Sequence, residues 1–503
     1  MGDPNKFDII IIGAGISGII AAYTLIEKEP ALDIKILEAK DRIGGRILSV
    51  HVQGSTRCLF DIGAQWVSTS QMNLMNLIES LNLTLVPQFR SGLALGICND
   101  FIQTYRDHPL LGNYFSQLEV RDFFGKLEQR CQDSRLRSPI STFEFDFYDC
   151  ITMEYYIRAK LYTRSAQNVA LNLIRITCGV RAAQISVWDY LAFCNSTLGL
   201  TNQYMTHDKG AKQFWIQESA EAICQRLRQR LGDSVFVKCD PVVEINYTQE
   251  KEVVTITASG KKYRSYFLIS AIPPQEVLRI KFNPPLNRTR QVALEQVQTG
   301  HVTKFIITYT SPFWRRQGFS GEVINCDDGP INICYDATKD GNAALTGYIN
   351  EPSATDNQGN SYKDQVIEQL VLYFGTEARS PIDYVEKNWW DEAYVGGCPV
   401  SCPGIGTTIW YHALKKPIGR IHWAGTETAT EWTGYMEGAI QAGRRAAIEV
   451  MYEIRPQALH YNDFALESHS PHVVRLSPVQ IFSRYTIAAI FLGGYLILRL
   501  LRQ

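Results

Sequence analysis

The chain has 503 residues, which is too many for a single hydrophobic core and predicts two or three domains. A formal net charge of -1 at pH 7 gives no reason to expect nucleic acid or another polyanion as a partner. The 12 cysteines are scattered and include no C-x-x-C pair, which argues against a zinc site and against a disulfide framework. We therefore expect a globular protein of a reducing compartment, with no bound metal.

The first predicted elements form a dinucleotide-binding unit. Residues 9–12 are four successive isoleucines, which predict a strand buried on both faces of a parallel sheet. Gly13, Gly15 and Gly18 follow, and they allow a tight turn, a close approach to a pyrophosphate and close packing of the next helix. That helix would point its N-terminal amides at the phosphates. Glu38 ends the next predicted strand 20 residues past Gly18, where a ribose hydroxyl needs an acceptor.

A polar turn comes next, and it carries two arginines, Arg42 and Arg46, around the glycine pair Gly44 and Gly45. In a dinucleotide-binding protein such a turn can cross over the pyrophosphate, where guanidinium groups offset the negative charge. A solvated loop is the alternative. A short predicted strand then ends close to the ligand, at Gly63, Ala64, Gln65 and Trp66.

The pattern changes between about residues 84 and 219. No glycine-rich turn occurs there, aromatic and charged residues interleave, and helical periodicity covers residues 151–164 and 168–193. This stretch predicts a helix-rich lid or substrate domain. Alternating strands between residues 235 and 271 then return to the first domain, and Val242, in one of them, is expected at the dinucleotide site.

A later stretch repeats the opening architecture in miniature, with a strand, a glycine turn and a helix that opens at Gly434. A helix N-terminus at this place can lie over the ring of a cofactor. The residues expected at this end of the site are Gly425, Thr426, Glu427, Gly434 and Met436.

The C-terminal end carries 14 successive uncharged residues, 485–498, between Arg484 and Arg499. As a helix they would span about 21 Å, short of the roughly 30 Å of a hydrocarbon core. Arginine side chains that snorkel to the interface, and a thin bilayer, would cover the difference. We expect a membrane anchor here, with an amphipathic or core helix as the alternative.

With these features assembled, the chain resembles the flavin-containing amine oxidases, and most closely the membrane-anchored monoamine oxidases, over nearly its full length. The N-terminal motifs are common to many FAD oxidoreductases, whereas a cysteine after a glycine pair together with a C-terminal anchor is more specific. The resemblance implies bound FAD. The segments that carry it are residues 13–18, 38–46, 270–274, 282–286, 386–389, 396–398, 423–428 and 434–438.

The resemblance also implies the fold class. The expected protein is α/β, with a Rossmann-like FAD-binding domain, a substrate domain of mixed sheet and helices, and a C-terminal transmembrane helix. The expected parts are FAD-binding residues 1–83, 220–290 and 391–455, substrate-domain residues 84–219 and 291–390, a tail along the membrane at 456–480 and the anchor at 481–501.

Three residues are similar to the family's residues around the flavin ring. Cys398 matches the cysteine that forms a thioether to the flavin 8α-methyl group, and a buried free cysteine is the alternative. Lys304 matches the lysine that holds a water at flavin N5 and assists the reaction with oxygen. A lysine within an apolar strand is costly unless it is paired or functional, and the alternative is a solvated edge position. Trp389 matches an aromatic residue that packs near this lysine and is expected to be catalytic with it.

The resemblance further assigns the substrate residues. Tyr435, also expected to be catalytic, is similar to one wall of the family's aromatic cage, two facing rings between which the amine reaches the flavin. Pro399 stands at the position of the other wall, which predicts a wider or differently shaped approach to the flavin. Tyr204 and Ile333 lie roughly where the family has side chains that gate the cavity.

The implied function is oxidative deamination of primary amines by O2, to an aldehyde, ammonia and hydrogen peroxide, with secondary amines as further substrates. Two alternatives stay open: a polyamine or L-amino-acid oxidase of the same fold, and a membrane-anchored flavoprotein that does not oxidise amines. The expected partners are a small amine, O2, the membrane and a second copy in a homodimer, and no nucleic acid. The resemblance favours the mitochondrial outer membrane over the endoplasmic reticulum, with the catalytic domain facing the cytosol.

Overall fold

The computed structural model describes residues 5–106, 111–132, 143–203, 206, 210–247, 252–327, 329–349, 361–399 and 401–464. The strands of this part of the chain are β1 (Lys6–Ile12), β2 (Ile34–Leu37), β3 (Ser49–Gln53), β4 (Arg57–Asp61), β5 (Trp66–Val67), β6 (Leu85–Pro87), β7 (Leu93–Cys98), β8 (Phe101–Tyr105), β9 (Phe214–Ile216), β10 (Phe236–Val237), β11 (Val242–Tyr247), β12 (Val253–Thr257), β13 (Lys262–Ser270), β14 (Lys281–Asn283), β15 (Gln298–Thr299), β16 (Thr303–Tyr309), β17 (Phe319–Asn325), β18 (Ile331–Asp336), β19 (Ala343–Ile349), β20 (Asp383–Asn388), β21 (Ser401–Cys402) and β22 (Ile421–Trp423). The α-helices are α1 (Ile16–Lys28), α2 (Met72–Ser80), α3 (Tyr114–Cys131), α4 (Phe143–Cys150), α5 (Met153–Lys160), α6 (Arg164–Cys178), α7 (Val187–Ser196), α8 (Glu221–Leu231), α9 (Pro274–Val277), α10 (Arg288–Glu295), α11 (Phe313–Arg316), α12 (Lys363–Phe374), α13 (Thr408–Tyr411) and α14 (Met436–Ile454).

The first large sheet has eight strands in the order β10-β2-β1-β13-β12-β11-β14, with β22 also paired to β13. Strands β10, β2, β1, β13 and β22 run parallel, whereas β12 pairs antiparallel with both β13 and β11. Its strands come from residues 6–37, 236–283 and 421–423, so distant parts of the chain meet in one sheet. The domain boundaries themselves stay predictions.

β1 is buried on both faces, as the run of isoleucines predicts. Ile9 and Ile11 pack with apolar residues of α1, α2, α8 and α14, whereas Ile10 and Ile12 pack with β13, β22, α9 and α10 on the opposite face. None of the four is more than 4% exposed. Two apolar layers therefore cover the parallel strands, and the predicted α/β fold is confirmed for this part of the chain.

The second large sheet has seven strands in the order β20-β16-β19-β18-β17-β7-β8. It is mixed, because β17 and β7 run parallel whereas the other pairs are antiparallel. One face packs against α12, where Ile307 and Leu345 meet Leu370. Side chains alternate along a strand, so Lys304, which lies opposite Tyr348, belongs to the other face.

Residues 84–219 contain α3 to α7, as expected, but also four strands that the sequence pattern did not predict. β7 and β8 form the end of the seven-stranded sheet, and β6 and β9 pair with each other beside β5. The four strands have three to six residues each. Such short segments give too little periodicity to separate a strand from a helix turn.

The helical pattern predicted over residues 168–193 is confirmed at both ends, and the structure divides the stretch into α6 and α7. α6 ends at Gly179, which has a φ of 69° and lies in the left-handed region that glycine adopts readily. α7 begins after Ser186, whose side chain accepts a hydrogen bond from the backbone N–H of Asp189. The apolar spacing continues across this break, so the pattern alone did not predict that a helix ends at Gly179.

The C-terminal part of the described chain ends shortly after α14. Among the described residues, no helix is long and apolar enough to cross a membrane. The predicted anchor at 481–501 and most of the tail at 456–480 lie outside these residues, so both stay predictions.

Candidate active site

The turn between β1 and α1 lies beside one acidic side chain, which accepts hydrogen bonds from two backbone N–H groups. Glu38, at the end of β2, accepts a hydrogen bond from the backbone N–H of Ala14 at 2.7 Å and another from Lys40 at 2.9 Å. Burial raises the pKa of Glu38, and these two hydrogen bonds oppose the shift. α1 begins after Gly15, which makes no side-chain cap, so the first amides of the helix are available to an anion.

Glycines bring the backbones of this turn close together. A Cβ on Gly18 would lie 2.1 Å from the Gly13 carbonyl oxygen, so only glycine lets α1 approach β1 this closely. Gly15 forms an isolated parallel bridge with Gly44, and the Gly44 N–H donates to Ala14 O at 2.8 Å. A Cβ on Gly15 would meet its nearest neighbour, Gly45 Cα, only at 4.0 Å. The glycine turn is therefore a backbone cradle that is open at Gly15.

The polar turn over residues 39–46 is tied to the chain beyond β20. Arg42 Nη2 lies 2.6 Å from Glu392 Oε1, and Lys387 Nζ lies 2.5 Å from the other carboxylate oxygen. Lys40 also contacts this carboxylate. Burial alone would raise the pKa of Glu392, but the hydrogen bonds from Lys387, Lys40 and Arg42 outweigh it and lower the pKa to about 2. Arg42 therefore holds the turn in place.

Arg46 forms the second charged contact of this turn. Its Nη1 lies 2.9 Å from Glu427 Oε1, and the Glu427 side chain is almost fully buried. Ser401 Oγ donates to the same oxygen at 3.3 Å. A Cβ on Gly425 would lie 2.9 Å from Glu427 Oε2, so the glycine leaves room for the carboxylate. That oxygen has no hydrogen-bond partner within the described part of the chain, as expected where a further polar group binds.

Cys398 lies beside both cationic side chains of the site. Burial raises the pKa of its thiol to about 12, and the charges of Arg46 and Lys304 oppose that shift. Its backbone N–H donates to Gly300 O at 3.0 Å. Pro399 packs against the end of α6, since a Cβ on Gly179 would lie 2.5 Å from the proline Cδ.

Lys304 is fully enclosed in β16, so the alternative of a solvated edge position is wrong. It is 1% exposed, and Nζ donates to Asp61 O at 2.8 Å, to Gly63 O at 3.0 Å and to Gln65 Oε1 at 2.8 Å. Burial lowers its pKa to about 7, and the negative charges of Asp61 and Cys398 oppose the shift. All three N–H groups of the ammonium therefore have protein acceptors.

Trp389 and Trp66 both contact the segment that holds Lys304. Trp389 is 2% exposed, and its Nε1 donates to Ile62 O at 3.1 Å. A Cβ on Gly63 would lie 3.1 Å from the Trp389 ring, so the indole lies directly on this segment. Lys304 Nζ lies 5.0 Å from the centre of the Trp66 ring, within range of a cation–π interaction.

The turn before α14 closes the site from the C-terminal side. Thr426 Oγ1 accepts from the Gly434 N–H at 2.9 Å and donates to Tyr435 O at 3.2 Å. α14 begins at the buried Met436, two residues after the predicted start, because Gly434 has a φ of 86°. No side chain caps this helix, and its first-turn acid, Glu437, accepts instead from two backbone N–H groups of α2.

Three aromatic rings meet on the face of the seven-stranded sheet that carries Lys304, and Tyr435 lies close enough to two of them to act on them electrostatically. We call the four residues the aromatic cluster. The Trp66 ring lies 5.3 Å from that of Tyr335 and 6.1 Å from that of Tyr348. Burial raises the pKa of Tyr348, and the nearby Cys398 and Tyr435 raise it further. The members are Trp66, Tyr335, Tyr348 and Tyr435.

Sequence reasoning found two members of this cluster and missed Tyr335 and Tyr348. Tyr335 lies on β18 and Tyr348 on β19, and only strand pairing brings them together with Lys304. Ile333 is fully buried and pairs with Tyr348, whereas Tyr204 lies outside the described residues.

The remaining predicted cofactor residues lie around the same two turns. The Ala64 N–H donates to Arg46 O at 3.2 Å, which joins the segment 62–66 to the polar turn. Val242 begins β11, two residues after Asp240, whose N–H donates to Glu38 O at 3.3 Å. The geometry thus collects residues from the start, middle and end of the chain, while their roles toward a ligand stay predictions.

A sequence profile described as "Flavin containing amine oxidoreductase" matches residues 16–451. The chain belongs to this family. As a flavin-containing amine oxidoreductase it is an FAD-dependent amine oxidase.

Relatives of the same family match over nearly their whole length. A "Probable flavin-containing monoamine oxidase A" of Dictyostelium discoideum is 30% identical over 452 residues, covering 88% of this chain and 97% of that protein. The human "Amine oxidase [flavin-containing] B" is 31% identical over 458 residues, covering 89% and 86% respectively. Among solved structures, cyclohexylamine oxidase from Brevibacterium oxydans has a TM-score of 0.83 at 26% identity, covering 89% of this chain and 99% of that one. A putrescine oxidase at 23% identity shares the fold, with a TM-score of 0.82.

The residues of this amine oxidase fit FAD. The open glycine cradle and the uncapped N-terminus of α1 suit a pyrophosphate, and Glu38 lies beside them as an acceptor. The free carboxylate oxygen of Glu427 and the uncapped N-terminus of α14 supply polar groups at the other end. A dinucleotide that carries a flavin needs both kinds of group at its two ends.

Proposed function

We propose that the protein converts primary amines, O2 and water to the corresponding aldehydes, ammonia and hydrogen peroxide, and that secondary amines react in the same way. The observation that carries this proposal is Lys304, a buried ammonium held beside Cys398 and the aromatic cluster. Bound FAD supplies the two-electron oxidant, and O2 restores it.

The aromatic cluster prepares the amine for oxidation. Its rings form an environment of low polarity, which disfavours an ammonium ion and lowers the pKa of a bound amine. Tyr435 and Tyr348 are both partly exposed although they lie in the interior, so they offer ring faces to a substrate. We propose that these two tyrosines orient the nitrogen, and that Tyr348 takes the place of the wall expected at Pro399.

Lys304 provides a positive charge at a fixed position. Negative charge develops on oxygen as it is reduced, and a preorganised cation stabilises that charge at no cost in reorganisation. Trp389 acts on the same reaction as a positioning residue, because it binds the segment that supplies the acceptors of Lys304.

We further propose that Cys398 links the cofactor covalently, through a thioether to the flavin 8α-methyl group. The C–S bond would replace one C–H bond of the methyl group, and the two electrons and two protons released would pass to O2 as hydrogen peroxide. The reacting sulfur is the thiolate, and Arg46 and Lys304 are the two charges that favour the thiolate at this position. After acid precipitation the yellow colour should remain in the protein pellet, and Cys398→Ala should release it to the supernatant. Colour released from the unmutated protein would refute the link.

The same geometry indicates which residues bind FAD. We propose that Gly13, Gly15 and Gly18 cradle the pyrophosphate, that Glu38 accepts from the ribose, and that Arg46 with Glu427 lies near the flavin. A Gly15→Val variant should lose most of the bound flavin, since its side chain would project into the cradle. Retention of flavin at the unmutated level would contradict this assignment.

The activity is tested by incubating the purified, yellow protein with a panel of monoamines and following hydrogen peroxide. Peroxide should appear with at least one monoamine, together with the matching aldehyde in equal amount. Bound flavin without peroxide from any amine would rule out the oxidase and favour a flavoprotein that does not oxidise amines. Peroxide from L-amino acids or from polyamines alone would favour the alternative oxidases of the same fold.

We also propose that residues 481–501 anchor the enzyme in the mitochondrial outer membrane, with the catalytic part facing the cytosol and two copies forming a dimer. The support is the uncharged run at 485–498 between basic residues. Truncation after Ser470 should release active enzyme from membranes. If the truncated protein still sediments with membranes, another surface makes the contact.

A further inference from the structure

A second buried lysine contacts the aromatic cluster, and the proposed chemistry does not use it. Lys212 is 7% exposed, and its Nζ lies 5.5 Å from the centre of the Tyr335 ring and 5.9 Å from that of Trp66. Trp66 is also the ring that contacts Lys304. Two buried ammonium groups therefore contact the same indole, and only Lys304 acts electrostatically on Cys398.

The groups around Lys212 have unused hydrogen-bonding capacity. Nζ donates to Gln203 O at 3.1 Å, the single acceptor found for it in the described ranges, although an ammonium carries three N–H groups. The Tyr335 hydroxyl and the Gln203 side-chain oxygen are buried and have no hydrogen-bond partner among the described residues. Buried polar groups are rarely left unpaired, so these two atoms, on residues that Lys212 contacts, together with the unused N–H groups of Lys212 indicate a ligand group.

The charge at this place is positive at neutral pH. Burial lowers the pKa of Lys212 to about 8, and the charge of Glu322 opposes the shift. Glu322 itself accepts from the Tyr105 hydroxyl at 2.8 Å, and no ion pair within 4.0 Å joins it to Lys212 in the part of the chain described. Arg90 is a further cation near Glu322. A second ammonium brought to Lys212 would meet like charge in surroundings of low polarity.

We propose that Lys212 and the Tyr335 hydroxyl bind a neutral hydrogen-bond acceptor at the end of the amine substrate remote from its amino group, and exclude a second ammonium there. The new element is the role of these two residues, which would favour amines with a hydroxyl, ether or carbonyl oxygen at the far end over the same amines without it. This inference rests on the proposed amine oxidation. It also separates the chain from diamine oxidation, although the chain shares its fold with a putrescine oxidase.

The test compares kcat/KM of the flavin-loaded enzyme at pH 7 for phenethylamine, its para-hydroxy and para-methoxy derivatives, and an alkane diamine of similar length. The unmutated enzyme should prefer the two oxygen-bearing amines by about tenfold, the effect of one buried hydrogen bond, and should turn over the diamine poorly. Lys212→Met should abolish the preference and raise diamine turnover about tenfold. An unchanged preference in Lys212→Met, or a diamine preferred by the unmutated enzyme, would overturn the inference.

Two further variants keep the test decisive. Tyr335→Phe removes only the hydroxyl and should reduce the preference without improving diamine turnover. Lys339→Met is the matched control, because Lys339 is equally buried, donates to Leu59 O at 3.1 Å and lies 5.5 Å from the Trp215 ring. It should leave the preference as in the unmutated enzyme. Absence of peroxide with every amine would contradict the proposed function, whereas peroxide with no change of preference in Lys212→Met and Tyr335→Phe would contradict this inference alone.

Discussion

Two buried lysines contact the same indole, and they differ in what binds their ammonium groups. Lys304 donates to three protein oxygens, whereas Lys212 donates to one. Burial lowers the pKa of both, to about 7 and about 8 respectively. The comparison teaches that burial alone does not indicate the role of a lysine. The number of satisfied N–H groups separates a fixed charge from a group with capacity for a ligand.

Their positions in the fold agree with this difference. Lys304 lies in β16, which is flanked by β19 and β20, so its backbone is held on both sides. Lys212 lies in a turn before β9. A strand inside a sheet keeps a charge in one place, while a turn can adjust to substrates of different length.

The largest effect should come from removing the fixed charge. Lys304→Met should slow the reaction of the reduced enzyme with O2 by about 100-fold, the typical effect of losing one preorganised electrostatic group. Rapid mixing of reduced enzyme with O2 measures this rate. Anaerobic reduction by an amine is the control and should change far less. An equal fall in both half-reactions would show that Lys304 acts through the structure of the site rather than on oxygen.

The charge of Lys304 should also be visible as a pH dependence. Since its pKa in the folded enzyme is about 7, the ammonium is present below that pH and is lost above it. The rate with O2 should therefore fall as pH rises through about 7, by roughly tenfold for each pH unit well above the pKa until an uncharged baseline is reached. Lys304→Met should show a low rate without this inflection. An inflection that persists in Lys304→Met would assign it to another group, with Asp61 and Cys398 the nearest titratable neighbours.

The free energy of unfolding should also differ between the Lys304→Met and Lys212→Met variants, although this effect is smaller than the effects on the rate with O2. Lys304→Met leaves three buried oxygens without donors and should lower the free energy of unfolding by about 3 kcal/mol, whereas Lys212→Met leaves one and should cost about 1 kcal/mol. Chemical denaturation of the flavin-loaded variants at pH 7 measures both.

The free energy of unfolding should also depend on pH through Lys304. The unfolded state keeps the lysine proton up to about pH 10, whereas folded Lys304 loses it near 7, so this lysine makes stability rise with pH between those values. Lys304→Met should lack that rise. Equal losses of unfolding free energy in Lys304→Met and Lys212→Met at pH 7 would contradict the difference in hydrogen bonding between the two lysines.

The sequence predicted best those features that depend on neighbouring residues. Gly13, Gly15 and Gly18 follow a run of isoleucines, and the turn they form is a local property of the backbone. The burial of Lys304 is predictable in the same way, because the apolar residues that follow it along the strand indicate a segment within the core. Such features need no knowledge of how distant strands pair.

The rest of the site depends on pairing between distant segments. Tyr348 lies opposite Lys304 only through the register of β16 and β19, and Tyr335 joins through β18. Lys212 lies in a turn without periodicity, and nothing in its neighbourhood marks it as buried. The strands β7 and β8 were missed for a related reason, since each is stabilised by its neighbours in the sheet rather than by its own pattern.

A substitution of Trp389 tests whether the position of Lys304 depends on the indole that contacts its acceptor segment. This substitution should have the smallest effect. Trp389→Phe keeps a ring on Gly63 but removes the hydrogen bond from Nε1 to Ile62 O. We expect a loss of about 1 kcal/mol in stability, the contribution of one hydrogen bond, and a decrease of about threefold in the rate with O2. Trp390→Phe, at the neighbouring exposed position, is the matched control and should change neither quantity. Because the acceptors of Lys304 are carbonyls of the same segment, a loss of stability without any change in the rate with O2 would mean that Lys304 keeps its position without this support.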